Sequence, residues 1–284
     1  MLDIDWTTEE PAIAAGQLLV VPLREGHDPE ALAQRFGAAV RDAVGRAPFS
    51  GKPGETFAFT REREGTMQHV TLTGTGALAE PAALRQLGHD AAREAQRLGA
   101  TQLVLDLHGS DGPSIEGDDA ARVGSLLAQG LELGTYAYDR FLSEANRRPS
   151  SLRTVTAWSR SAAPAEGAKR GQIVAAAIAK ARDLGNGPPG LVTPTHLAEV
   201  AADMATALRS EGHDVEVVVL ERDECQARGM GCFLAVAVAV PDPGTGWRGC
   251  HPDRAVALAG RLGRESKMVT RDRREDVPLR RAGE

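Results

Sequence analysis

The sequence predicts an α/β protein in two parts. Three observations predict it. Short apolar runs alternate with helical patterns from Gln17 to Trp158, which argues for a mixed or mostly parallel sheet. The run Thr101–Leu107, "TQLVLDL", is almost continuously apolar, as in a strand covered on both faces. And "GNGPPG" at residues 185–190 stands between two helical patterns, where its glycines and prolines stop any helix.

Taken in order, Gln17–Leu23 ("QLLVVPL") reads as a buried strand ended by Pro22 and "REGHDP". Leu32, Phe36, Val40 and Val44 recur every four residues, so Pro29–Val44 is expected to form one amphipathic helix. "FSGKPGE" from Phe49 is turn chemistry. Thr56–Arg61 and Met67–Thr73 read as strands. Pro81–Leu98 follows as a helix with Leu84, Leu87, Ala91, Ala95 and Leu98 on one side. Beyond Leu107 come an acidic loop, a helix over Ala120–Gly134, and a strand over Leu152–Trp158. "SRSAAPAEGA" is a small-residue break, and Arg170–Leu184 is a helix with Ile173, Ala177, Ile178 and Ala181 on one face.

After the bend a new helix has a clear start. Thr193 is a good N-cap, and Pro194 suits the first helical position, where a missing N–H costs nothing. Helix Pro194–Glu211, strand Val215–Leu220, a short helix over Arg222–Arg228 and a strand Phe233–Val240 are expected to follow, with Gly229 as a left-handed cap. From Pro241 the chain turns repeatedly. Over Arg261–Glu284 eight Lys/Arg face five Asp/Glu, against −6 for the whole chain. That reads as a poorly ordered, arginine-rich tail; a basic interaction tail is the alternative.

Composition excludes several classes. With 42% apolar and 25% charged residues, the 284-residue chain can bury a core. A net charge of −6 argues against a nucleic-acid binder. No run approaches the roughly eighteen apolar residues of a membrane span, and "MLDIDWTTEEP" lacks the apolar region of a signal peptide. Cys225, Cys232 and Cys250 are odd in number and form no C-x-x-C, so reduced thiols in a cytoplasmic protein are expected.

Candidate chemistry is sparse, and no catalytic, cofactor-binding or metal-ligating residue is assigned. "GTGAL" from Gly74 could cradle a phosphate or be a bare tight turn. His108–Asp119 gathers one histidine with Asp111, Glu116, Asp118 and Asp119. Neither calcium-loop nor zinc spacing is present, and a solvated loop ahead of a helix is the plain reading, with Asp118 or Asp119 favouring the helix start. Cys225, Cys232, Cys250 and His251 match no common zinc pattern. His108 with Asp106 is the one acid–histidine pair that an unrelated hydrolase could use; there is no G-x-S-x-G and no H-E-x-x-H.

Two ordered segments carry a family resemblance. "ARDLGNGPPGLVTPTHLAEVA" from Ala181 resembles the stretch that opens the catalytic domain of leucyl (cytosol) aminopeptidases. About thirty residues on, Val215–Leu220 and "RGMGCFLAVA" at Arg228–Ala237 continue it. "ARVGSLLAQGLELGTYAYDRF" from Ala121 resembles the family's helix and Gly–Tyr–Asp segment. The resemblance implies an N-terminal domain with a fold like that of macro domains over residues 1–163, a connecting helix over 164–185, the first strand–helix unit of an incomplete α/β peptidase domain over 186–240, and a divergent tail over 241–284.

It also implies a reaction. The family holds two divalent ions, zinc or manganese, between carboxylates and one neutral lysine. They polarise a peptide carbonyl and activate water, releasing N-terminal residues such as leucine. Here "VALAGRLGRES" at Val256–Ser266 puts Arg261 at the lysine position and Ser266 at an aspartate position. A guanidinium stays protonated and offers no lone pair, and a serine brings no charge to offset a dication. The family's further ligands lie beyond the last residue here. The expectation is therefore a family member inactive alone, with no cofactor in this chain, associating with itself or with intact subunits. A macro-like nucleotide- or partner-binding module is the alternative.

Overall fold

The computed structural model describes residues 1–76, 81–109, 119–232 and 258–262. The chain divides between Gly185 and Asn186 into two units. In the first, six strands form one sheet: β1 (Asp3–Thr7), β2 (Leu18–Leu23), β3 (Thr56–Arg63), β4 (Thr66–Gly74), β5 (Gln102–Asp106) and β6 (Thr154–Trp158). Their order is β1-β6-β5-β2-β4-β3, and every neighbouring pair is parallel except β3–β4. That hairpin turns on Glu64 and Gly65, both at positive φ (53° and 75°), as a tight two-residue hairpin turn requires.

Parallel neighbours need crossovers, and helices supply most of them. Helices α1 (Pro29–Phe36) and α2 (Ala38–Arg46) follow β2, α3 (Pro81–Leu98) follows β4, α4 (Ala120–Thr135) follows β5, and α5 (Pro164–Asn186) follows β6. Alternate residues of the central strands serve opposite faces. Leu18, Val20, Leu103, Leu105, Val155 and Ala157 pack with α3 and α4. Leu19, Val21, Leu23, Val70, Leu72 and Val104 pack with Leu32 of α1, Val44 of α2 and Phe49. The continuous apolar character of β2 and β5 thus reflects burial on both sides.

Three differences from the sequence expectation have physical causes. The single helix expected over Pro29–Val44 breaks at Gly37 (φ 95°), whose N–H caps α1 through the Ala33 carbonyl at 2.8 Å. A four-residue spacing drifts about 40° per step around a straight helix. The break resets that drift, so Leu32, Phe36, Val40 and Val44 all reach one cluster. Strand β1 was not expected. Its "DIDWT" alternates, and Ile4 and Trp6 pack on the core while the edge pairs with β6 alone. Finally, α5 starts at Pro164, inside the stretch expected to be a break.

The buried face of α5 is also not the one its larger side chains suggest. Gly167, Ala168, Gly171, Gln172 and Ala175 are buried, whereas Ile173 is 68% exposed. The cause is backbone contact. A Cβ on Gly167 or Gly171 would overlap the carbonyl oxygen of Ala121 or Ser125 in α4, and a Cβ on Gly124 would overlap that of Pro164. Across the other side of α4, a Cβ on Gly130 would overlap the Arg85 carbonyl oxygen, and one on Gly88 would lie 2.5 Å from that of Leu127. Glycines therefore let α3, α4 and α5 pack main chain against main chain.

In the second unit, α6 (Pro194–Ser210) starts as expected: Thr193 Oγ1 accepts the His196 N–H at 3.2 Å. Strand β7 (Val215–Val219) and α7 (Arg222–Ala227) follow, and Gly229 takes the left-handed conformation (φ 70°). Within the stretch read as a tail, β8 (Leu258–Leu262) pairs antiparallel with β7. The strand expected at Phe233–Val240 lies outside the described residues. Of the residues of this unit whose burial is described, only Ala205 and Cys225 are buried, and Val218 and Val219 are 40% and 37% exposed. No helix among the described residues is long and apolar enough to cross a membrane.

Two outcomes test this fold. Gly167→Ala should destabilise the protein by about 1–3 kcal/mol, because nearby main chain cannot yield as a side chain would. Gly185→Ala, on the same helix with nothing within 4 Å of the added carbon, should stabilise by about 0.5–1 kcal/mol. Urea unfolding with equal effects at both positions would contradict the α4–α5 contact. Thr193→Ala should cost about 1 kcal/mol and Thr193→Asp almost nothing, since aspartate caps as well as threonine; an alanine variant of unchanged stability would place the start of α6 elsewhere.

Candidate functional site

Polar groups gather where β5 and β6 end side by side, with Asp106 opposite Trp158 in register. Asp106 is 2% exposed, yet it carries a carboxylate. Burying that charge requires partners. Its Oδ1 accepts the His108 main-chain N–H at 2.9 Å, and its Oδ2 meets the guanidinium of Arg35, which arrives from the end of α1. The His108 ring lies flat on Trp158, with centroids 4.8 Å apart and planes at 9°. The Arg160 Nε–H donates to the His108 carbonyl at 3.2 Å. Asp106 therefore engages the main chain of His108 and the side chain of Arg35. The acid–histidine pair that a hydrolase would need is not made, because a carboxylate orients a general base only by bonding its ring.

Beside this cluster a cleft of about 570 Å³ opens on the α1 face of the sheet. Phe36, Leu19, Val104, Ile13 and Trp158 form its apolar lining, and Arg35, Arg61 and Arg63 bring cations to it. Arg35 is paired with Asp106, and Arg63 with Glu10 at 2.9 Å. Arg61 hydrogen-bonds only to neutral groups among the described residues, with Glu10 attracting it from further off. Its Nε–H donates to Gln68 Oε1 at 3.0 Å, its Nη1 to the Arg35 carbonyl at 3.3 Å, and its guanidinium sits 4.9 Å from the centre of the Phe36 ring. Burial first, then the neighbouring charges of Arg63 and Arg35, holds the Arg61 guanidinium below its ordinary value.

The residues singled out from the sequence fall as follows. The glycine turn after β4 is structural. The N–H groups of Gly74, Thr75 and Gly76 are spent on the carbonyls of Glu55, Leu23 and Gly51 at 2.8–2.9 Å, so none of the three is left for a phosphate. A Cβ on Gly74 would overlap the Lys52 carbonyl oxygen, which explains that glycine. Asp111, Glu116, Asp118, Cys250, His251 and Ser266 lie outside the described residues. Asp119 holds the N-cap position of α4 without a side-chain cap bond, and favours the helix start through charge alone. Cys225 is buried, with its thiol 3.9 Å from the Leu220 carbonyl, while Cys232 is exposed. Arg35, Arg61 and Trp158 had no sequence signature as a group: they come from α1, β3 and β6, and only the fold assembles them.

The dinuclear metal centre implied by the resemblance does not fit the residues described. Among them, no three His, Cys, Asp or Glu side chains gather as a ligand set. Arg261 lies on β8 as the register partner of Glu216 on β7, and an arginine offers no lone pair to a metal.

Two models of one known family match successive stretches of the chain. Residues 20–145 match the model of the cytosol aminopeptidase family, N-terminal domain, and residues 179–247 that of the same family's catalytic domain. A probable cytosol aminopeptidase of Synechococcus sp. (strain CC9605) is 33% identical over 229 residues, covering 78% of this chain and 43% of the relative. That of Acaryochloris marina is 33% identical over 214 residues, covering 73% and 41%. A mutant of tomato leucine aminopeptidase superposes with a TM-score of 0.69 at 25% identity, over 85% of this chain and 49% of that one. The bottromycin maturation enzyme BotP in complex with Mn gives 0.52 at 25% identity, over 80% and 42%. The chain thus spans a little under half the length of the curated relatives it matches. With both family models matched in order over more than half of its residues, the chain belongs to the cytosol aminopeptidase family.

Proposed function

We propose that these 284 residues supply the N-terminal domain and the opening of the peptidase domain of a cytosol aminopeptidase, and do not by themselves form a working catalytic centre. The observation that carries this reading is β8. Where the resemblance calls for a neutral lysine that binds metal, Arg261 stands in register with Glu216. A guanidinium keeps its proton at any usable pH and cannot donate a lone pair. The match to relatives covers under half of their length, which fits a chain without the full ligand set. In this reading the family's substrates are peptides with N-terminal residues such as leucine, its setting is the cytoplasm, and the partners of this chain are other copies of itself or intact aminopeptidase subunits.

The test is elemental analysis of the purified chain after exposure to zinc and to manganese, with turnover of a leucyl anilide measured on the same samples. The expected outcome is metal well below stoichiometric and no turnover above buffer. Two tightly held ions per chain together with turnover would overturn the proposal and place ligands in the segments beyond those described.

A further inference from the structure

We propose that the cleft between Phe36, Arg61 and Trp158 is a binding site for a small organic anion, a carboxylate or phosphate carried on a flat apolar body. The inference concerns the N-terminal unit alone and does not depend on whether the chain hydrolyses peptides.

Arg61 is the guanidinium of the cleft with no carboxylate in ion-pair reach among the described residues, although Glu10 attracts it from further off. Three guanidiniums line the cleft, and ion pairs account for two: Arg35 with the buried Asp106, Arg63 with Glu10. Arg61 lies between them in the cleft lining, with a glutamine and a main-chain carbonyl for company. Glu62 reaches the lining as well, but it is exposed to solvent and makes no ion pair with Arg61 among the described residues. Arg61 is a partly buried cation with like charges beside it, and burial and those neighbours outweigh the pull of Glu10. An anion seated there would offset them. Arginine also offers a planar fork suited to carboxylate or phosphate oxygens.

The rest of the cleft specifies the body of the ligand. Two guanidiniums lie near the Phe36 ring, Arg35 at 5.0 Å and Arg61 at 4.9 Å from its centre. Trp158 is oriented by the stacked His108 ring, and Arg35 lies 6.0 Å from its ring centre. Leu19, Val104 and Ile13 complete an apolar lining. Aromatic side chains beside a cation without an ion pair favour a planar ring bearing one anionic group. The volume of about 570 Å³ is that of a small-molecule pocket and is too small for a folded partner.

The experiment is isothermal titration of the full chain with four probes: adenosine 5′-monophosphate, indole-3-acetate, adenosine and inorganic phosphate. Saturable binding of at least one ring-bearing anion is expected, and whichever binds identifies the head group as phosphate or carboxylate. Adenosine and inorganic phosphate should each bind at least roughly tenfold more weakly, because each lacks half of the recognition. Arg61→Met should weaken the bound anion roughly 10- to 100-fold, the loss expected for a charge-assisted fork. Ile13→Trp, on the loop rather than the sheet, should fill the cleft and abolish binding even if the Arg61 variant folds poorly. No binding of either ring-bearing anion overturns the proposal. So does binding that persists unchanged in Ile13→Trp, or in a folded Arg61→Met. Neither result would touch the family assignment.

Discussion

The N-terminal unit depends on main-chain contact between helices. Helix α4 lies between α3 and α5, and on both sides the contact runs through glycines whose added carbon would meet a carbonyl oxygen. Close approach of this kind leaves no side chain to adjust, so the helix positions are set within a fraction of an ångström. That rigidity propagates to the sheet. Leu84, Leu87, Leu127 and Leu131 reach down from α3 and α4 onto Leu18, Leu103 and Val155, so the layer that α4 organises also seats β2, β5 and β6. The floor of the cleft stands on the opposite face of those same strands.

On that opposite face the organising element is a buried charge. Asp106 closes β5, and its carboxylate is shared between the His108 main chain and Arg35. An uncompensated carboxylate at that depth would cost several kcal/mol, so the pair specifies where the end of α1 must lie. Gly37 then turns the chain into α2, and Phe36 is left against Arg35 and Arg61 at the cleft wall. The same pair explains why Asp106 and His108, two positions apart in sequence, form no acid–base couple: the carboxylate is already committed.

The second unit differs in kind. Its helix caps and turns are well formed, with Thr193 on α6 and reciprocal Glu221–Glu224 bonds on α7, yet of its residues whose burial is described only Ala205 and Cys225 are buried. Local signals of this sort need only a few neighbouring residues, and they survive without a core. A core needs a sheet with both faces covered, and the described strands of this unit are the β7–β8 pair.

What the sequence determined by itself was everything set by local chemistry or by continuous pattern. The α/β class, the strands β2, β5 and β6, the helix Pro81–Leu98, the Thr193 cap and the family membership were all legible, because each rests on a period, a cap or an ordered motif within one stretch. Tertiary structure alone decided the rest. The break at Gly37 follows from where a core cluster sits. The face that α5 buries was misread from Ile173 and Ile178, because the rule that large apolar side chains mark the buried face fails where two backbones touch and only glycine and alanine fit. Strand β1 needed its partner β6, some 150 residues away in the chain, to be recognised as a strand. The cleft was invisible for the same reason: Arg35, Arg61 and Trp158 have no spacing in common, and their meeting is a consequence of sheet order, which no local pattern encodes.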